Sequence, residues 1–117
     1  MQPVKVNGPL LLDYLRFIGN KEAHKDLLGS LFLRNGKVIG LYTACHILED
    51  LMEEEGPLVD PWELTYRIRT YAADVEWEIR DQTSLKQMAR LRDEVTYLRK
   101  AVEHVRAFVG ETRHFVT

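Results

Sequence analysis

The stretch Asp60 to Gly110, DPWELTYRIRTYAADVEWEIRDQTSLKQMARLRDEVTYLRKAVEHVRAFVG, decides how this chain is read. It opens on Asp60-Pro61-Trp62-Glu63. Asp60 can cap a helix, the fixed φ of Pro61 suits the first helical position, and Glu63 stands three residues after the cap. A helix is therefore predicted over 61–82. Thr83 or Ser84 can cap another over 84–109, which Gly110 should stop. Two long helices joined by so short a link are expected to lie as an antiparallel pair.

The helix over 61–82 has two apolar faces. Leu64, Ile68, Tyr71, Ala72, Val75 and Ile79 form an ordinary core stripe. Nearly opposite stand Trp62, Tyr66, Ala73 and Trp77, at spacings of 4, 7 and 4, flanked by Arg69 and Arg80. A helix with one face in water should be polar there. Either this helix is central, covered on both sides, or its second face is meant for a partner. Trp, Tyr and Arg are the types enriched at interface hot spots. Base stacking on Trp62 or Trp77 beside Arg69 has only composition behind it.

In the last helix Met88, Leu91, Val95, Leu98, Val102, Val105 and Val109 alternate by 3 and 4 without a break. With Met88, Val95, Val102 and Val109 at a and Leu91, Leu98 and Val105 at d, the pattern suits a two-stranded coiled coil. Arg92, Arg99 and Arg106 make a cationic rail at e, and Glu94 at g would reach Arg99 on a partner helix. A helix lying along a neighbour of its own chain needs the same stripe. In that case Asp74, Glu76, Glu78 and Asp81 would face the rail.

Ahead of Asp60 the reading is a short extended lead with Val4 and Val6 on one face, then a helix from Pro9 through Ile18. Gly19-Asn20 should break it, with a further helix from Lys21 to Leu28 ended by Gly29. Residues 31–42 read as a β-hairpin turning on Asn35-Gly36, a pair that tolerates the positive φ of a tight turn. Val38, Leu41, Cys45, Leu48 and Met52 also repeat helically, so a helix–turn–helix competes. Glycines 29, 36 and 40 weigh against it, at about 1 kcal/mol each in a helix. Thr43 to Glu55 is a helix ended at Gly56-Pro57, and Glu111 to Thr117 is a frayed tail or an edge strand. The expected fold is thus predominantly α (α+β): about five helices with a small hairpin near 31–42, in one domain over 1–117. An all-α bundle is the alternative.

At 117 residues, 45% hydrophobic and 29% charged, the composition is that of a globular domain. Residues 1–60 carry 6 basic and 9 acidic groups and residues 61–117 carry 10 and 9, so neither half is a cationic footprint. Asp93, Glu94 and Glu103 interrupt the arginine rail, so nucleic acid is not the favoured partner. One cysteine, no leader-like segment and no long apolar run together suggest a cytoplasmic protein without a membrane span.

Asp50-x-x-Glu53, followed by Glu78-x-x-Asp81, resembles the paired acidic motifs of all-α nucleotide pyrophosphohydrolases. That resemblance implies carboxylates on two helices holding Mg²⁺. It covers four residues, and Asp50 stands where the family's first motif expects Glu, so a solvated acidic face is the simpler account. Arg99-x4-His104 is similar to the motif of HEPN-type ribonucleases, but residues five apart on a helix point about 140° apart. Adjacent Cys45 and His46 diverge and lack a second ligand pair for zinc. No pattern asks for a catalytic residue, metal or cofactor. The expectation is a non-enzymatic interaction or regulatory module that binds another protein or, first of all, its own copy. Trp62, Tyr66, Arg69, Trp77, Arg80, Arg92, Arg99 and Arg106 would form its surface.

Overall fold

The computed structural model describes residues 5–25 and 36–115, with side chains for 5–23 and 36–111. Its elements run β1 (Val6–Asn7), α1 (Gly8–Lys25), α2 (Gly36–Glu55), β2 (Leu58–Val59), α3 (Pro61–Asp81) and α4 (Leu85–Phe115). The described fold is predominantly helical, with four helices and one two-stranded antiparallel sheet.

The sheet is not where the Asn35-Gly36 pair places it. β1 pairs with β2, Val6 opposite Val59 and Asn7 opposite Leu58. Gly36 to Tyr42 is the first two turns of α2 rather than the return strand of a hairpin; residues 31–35 lie outside the described residues. Two of the three glycines that speak against a helix, Gly36 and Gly40, are the reason this one sits where it does; Gly29 lies outside the described residues. A Cβ on Gly40 would come within 2.6 Å of the Glu94 carbonyl oxygen and 3.2 Å of the Leu98 amide nitrogen. A Cβ on Gly36 would collide with the Arg90 carbonyl oxygen. Gly36, Gly40 and the fully buried Ala44 recur every four residues, a strip whose first two positions lay the α2 backbone directly on that of α4.

Close approach also explains why α1 continues through Gly19-Asn20. A Cβ at Gly19 would lie 2.9 Å from the Tyr42 ring, and the Tyr42 hydroxyl donates to Asn20 Oδ1 at 2.6 Å. Both residues hold α1 on α2 instead of ending a helix; the expected second helix over 21–28 is described only to Lys25, as part of α1. At the other end of α1, Asn7 Oδ1 accepts from the Leu10 amide at 3.0 Å, and the Gly8 amide donates to the Pro57 carbonyl at 2.7 Å.

The boundaries around Asp60 hold as expected. Gly56, at φ +92°, ends α2. The Asp60 carboxylate accepts from the Trp62 amide at 2.9 Å, and Pro61 occupies the first turn of α3. Ser84 Oγ accepts from the Gln87 amide at 3.4 Å at the start of α4. That helix passes through Gly110 to Phe115, so the expected stop and edge strand are replaced by further helix. Val109 is buried there, and packing carries the helix past its glycine.

The core lies between α1, α2, α3 and α4, with Leu11, Leu15, Leu48, Leu64, Ile68 and Leu98 fully buried. α4 rather than α3 lies between two helices, since it packs on both α2 and α3, as α2 does on α1 and α4. Its heptad is spent there: Leu91, Val95, Leu98, Val102, Val105 and Val109 are all buried within the one chain. α3 and α4 run antiparallel, with Thr65 beside Val105 and Val109, and Ala72 beside Val102.

Candidate protein-interaction face

With α4 covering only one side of α3, the second apolar face stays bare. Leu64, Ile68, Ala72 and Val75 turn inward and are buried, which rotates Trp62, Tyr66 and Trp77 outward. These three are 55%, 65% and 64% exposed. Ala73, Arg69 and Arg80 are exposed between and beside them. Tyr71, expected in the core stripe, is itself 41% exposed. The Arg80 guanidinium stacks over the Trp77 ring at 4.4 Å, holding that indole in place through a cation–π contact.

Two recesses lie along the seam between α3 and α4. One, of about 130 Å³, is lined by Pro61, Trp62, Thr65, Val105, Arg106, Val109 and Gly110. That is about the size that accepts one benzene-sized group. The other, larger at about 380 Å³, is lined by Arg69, Ala72, Ala73, Arg99, Val102 and Glu103. Sequence reasoning did not foresee either recess, because each is made by residues from two helices whose alignment only the packing fixes.

The arginine rail is brought only partly to this face. Arg99 pairs with Glu76 across the two helices, as the acidic residues of α3 suggested. Arg106 pairs with Glu103 one turn away at 3.1 Å. Arg92 is exposed but lines neither recess. These are exposed pairs, each worth little in stability. Their effect is on the surface: much of the rail's charge is already answered within the chain.

Glu94 departs most from the reading that gave it an interchain role. Only 7% exposed, it is turned into the fold, with Arg90 on the same helix and Tyr71 and Glu78 on α3 nearby. Burial raises its carboxyl above the usual glutamate range, Arg90 pulls the other way, and Glu78 adds to the rise. Among the described residues, Arg90 Nε is buried there without a hydrogen-bond acceptor. An unfolded glutamate ionises at about 4.3, and the folded one ionises at higher pH. Across that window the folded state holds a proton that the unfolded chain has lost, so stability falls as pH rises. Glu94→Gln is expected to be more stable than the parent at pH 7 and equal to it below the window, as read from denaturant midpoints. A less stable variant at pH 7 would mean that the ionised carboxylate and Arg90 are a net favourable pair.

The other chemical motifs are not assembled. Asp50, Glu53, Glu78 and Asp81 are all exposed, and among the described residues no three His, Cys, Asp or Glu side chains converge as a metal site would require. His104 turns toward α1, edge-on to Tyr14 at 6.2 Å between centroids, whereas Arg99 reaches α3. The two therefore serve different interfaces, and burial lowers the His104 imidazole below its usual range. Cys45 is a buried core residue whose thiol burial pushes up to about 11. Among the described residues no helix is long and apolar enough to cross a membrane. Searches against protein-family models, curated proteins and solved structures find no match for this chain, so the face must be interpreted from its own residues.

Proposed function

We propose that this chain is a non-enzymatic protein-interaction module whose working surface is the outer face of α3, formed by Trp62, Tyr66, Arg69, Trp77 and Arg80, with Arg99 and Arg106 along its α4 border. One observation carries the reading: two tryptophans and a tyrosine lie more than half exposed on one line of one helix while the opposite stripe of that helix is buried. Each aromatic can bury ~150–250 Å² when covered, and contiguous apolar surface of that kind marks interaction sites. Single exposed apolar residues are ordinary; a row of aromatics with stacked or flanking arginines is what hot spots are made of. The module would act by occupancy, the aromatics anchoring a partner and the arginines orienting it.

The test is a photoreactive amino acid in place of Tyr66, with Glu53 on α2 as the control position, irradiated in the expressing cell. Covalent adducts with a protein chain are expected from position 66 and should disappear when Trp62 and Trp77 are both alanine. Adducts equal to those at position 53, or indifferent to the tryptophans, would remove the face from consideration.

A further inference from the structure

Resting on that reading, we infer that the occupant of the α3 face is α3 of a second copy of the chain, docked antiparallel about a two-fold axis that passes between Arg69 and Thr70. The spacing of the exposed row is a palindrome: 4, 7 and 4 reads the same in either direction. In an isologous interface residue i meets residue j while j meets i, and a palindromic row is the pattern that such an interface requires. A two-fold axis between Arg69 and Thr70 sets Trp62 against Trp77 of the second copy and Tyr66 against Ala73, each twice. The second pairing puts a large residue on a small one, which lets the helices close without a gap. Ala73 needs an explanation of this kind, because it is the one small side chain in an otherwise bulky exposed row.

The first pairing concentrates the anchors. Arg80 already stacks on Trp77, and Trp62 of the second copy approaches that same ring. Each end of the seam therefore carries two indoles and a guanidinium. The row from 62 to 77 is about 22 Å long at 1.5 Å per residue. Its three aromatics and two arginines expose on the order of 600 Å² per copy, or ~1,200 Å² in a dimer, the lower end of specific interfaces.

Charge leaves a like copy acceptable. Arg99 and Arg106 are answered by Glu76 and Glu103, so the face offers an acidic partner little beyond Arg69 and Arg80. The cost falls at the axis, where the two Arg69 side chains share one flank; each lines a recess with Glu103 of its own α4, which offsets part of the repulsion. A marginal area with this central cost fits a reversible dimer rather than a permanent one.

Reciprocal exchange tests the register. Tyr66→Ala and Ala73→Tyr are each expected to weaken the dimer at least tenfold by sedimentation, the first by opening a gap and the second by opposing two tyrosines. The double variant should regain most of the parent affinity, because the large–small pairing is restored in reverse. A double variant as weak as the sum of the two overturns the inference. Thr70→Cys reports the direction: with a short bis-maleimide it should cross-link to itself near the axis, whereas Gln82→Cys should not, its two copies standing roughly 35–40 Å apart along the seam. Buried Cys45 is too poorly ionised to interfere. Cross-linking at position 82 as readily as at 70 means a parallel pair and overturns the inference. So does a chain that stays monomeric, even where photo-adducts at position 66 with a different protein leave the interaction module standing.

Discussion

Gly40→Ala is expected to lower stability by roughly 2–3 kcal/mol, although alanine is the better helix former by about 1 kcal/mol. The residue lies inside α2, so propensity alone predicts a gain. The contact with α4 reverses the sign. The new methyl would lie 2.6 Å from the Glu94 carbonyl oxygen and 3.0 Å from Tyr97 Cβ, and the first of these is backbone in the middle of a long helix. Relief requires α2 to lift from α4, which opens the packing around Leu41, Ala44 and Leu98. A fall in melting temperature of about 10 °C or more is expected for a domain of this size. Gly110→Ala is the matched control. A Cβ there meets nothing within 4 Å, so the propensity gain of about 0.5–1 kcal/mol should appear undiminished. Equal stabilisation by both substitutions would contradict the α2–α4 contact.

Replacing Trp62 and Trp77 together by alanine should separate stability from association. Both indoles are mostly in water, so the monomer loses little, within about 0.5 kcal/mol for surface changes remote from caps and core. Trp62 comes nearest to an exception, since it also borders the recess beside Val105 and Val109. Association should collapse. Truncating a hot-spot residue costs about 2 kcal/mol or more, or about 30-fold in affinity for each tryptophan. Thermal melting at low concentration reads the first quantity. The concentration dependence of tyrosine emission, with the tryptophans gone, reads the second against the parent. A variant that unfolds would show that the face belongs to the core.

The C-terminal half of the fold was legible because its signals are local. The Asp60-Pro61 start, the Gly56 stop and the stripe from Leu91 to Val109 each fix an element through neighbours within a turn or two. The errors share one cause. Gly19 and Gly110 read locally as helix ends, and Gly36 and Gly40 as hairpin or helix-weakening residues, whereas Gly19, Gly36 and Gly40 make room for a distant backbone or ring and Gly110 is carried by packing. A glycine that ends a helix and one that admits a neighbouring helix look alike in one sequence. The four-residue spacing of Gly36 and Gly40 with Ala44 is the available clue to the second role. For the site, periodicity placed Trp62, Tyr66, Arg69, Trp77 and Arg80 on one face but could not say whether that face was covered. The answer depended on α4 lying to one side of α3, which is a matter of tertiary packing. The same limit hid the recesses and the burial of Glu94, which heptad position alone had turned toward a partner.

Self-association through the outer face of α3 is tested most directly by sedimentation equilibrium over a wide concentration range, with the Trp62→Ala/Trp77→Ala protein beside the parent. The parent mass should rise smoothly from one chain to two, with a dissociation constant in the micromolar range expected of so small an interface, while the variant stays at one chain throughout. A parent that remains a single chain at every concentration, or a variant that dimerises as the parent does, would contradict it.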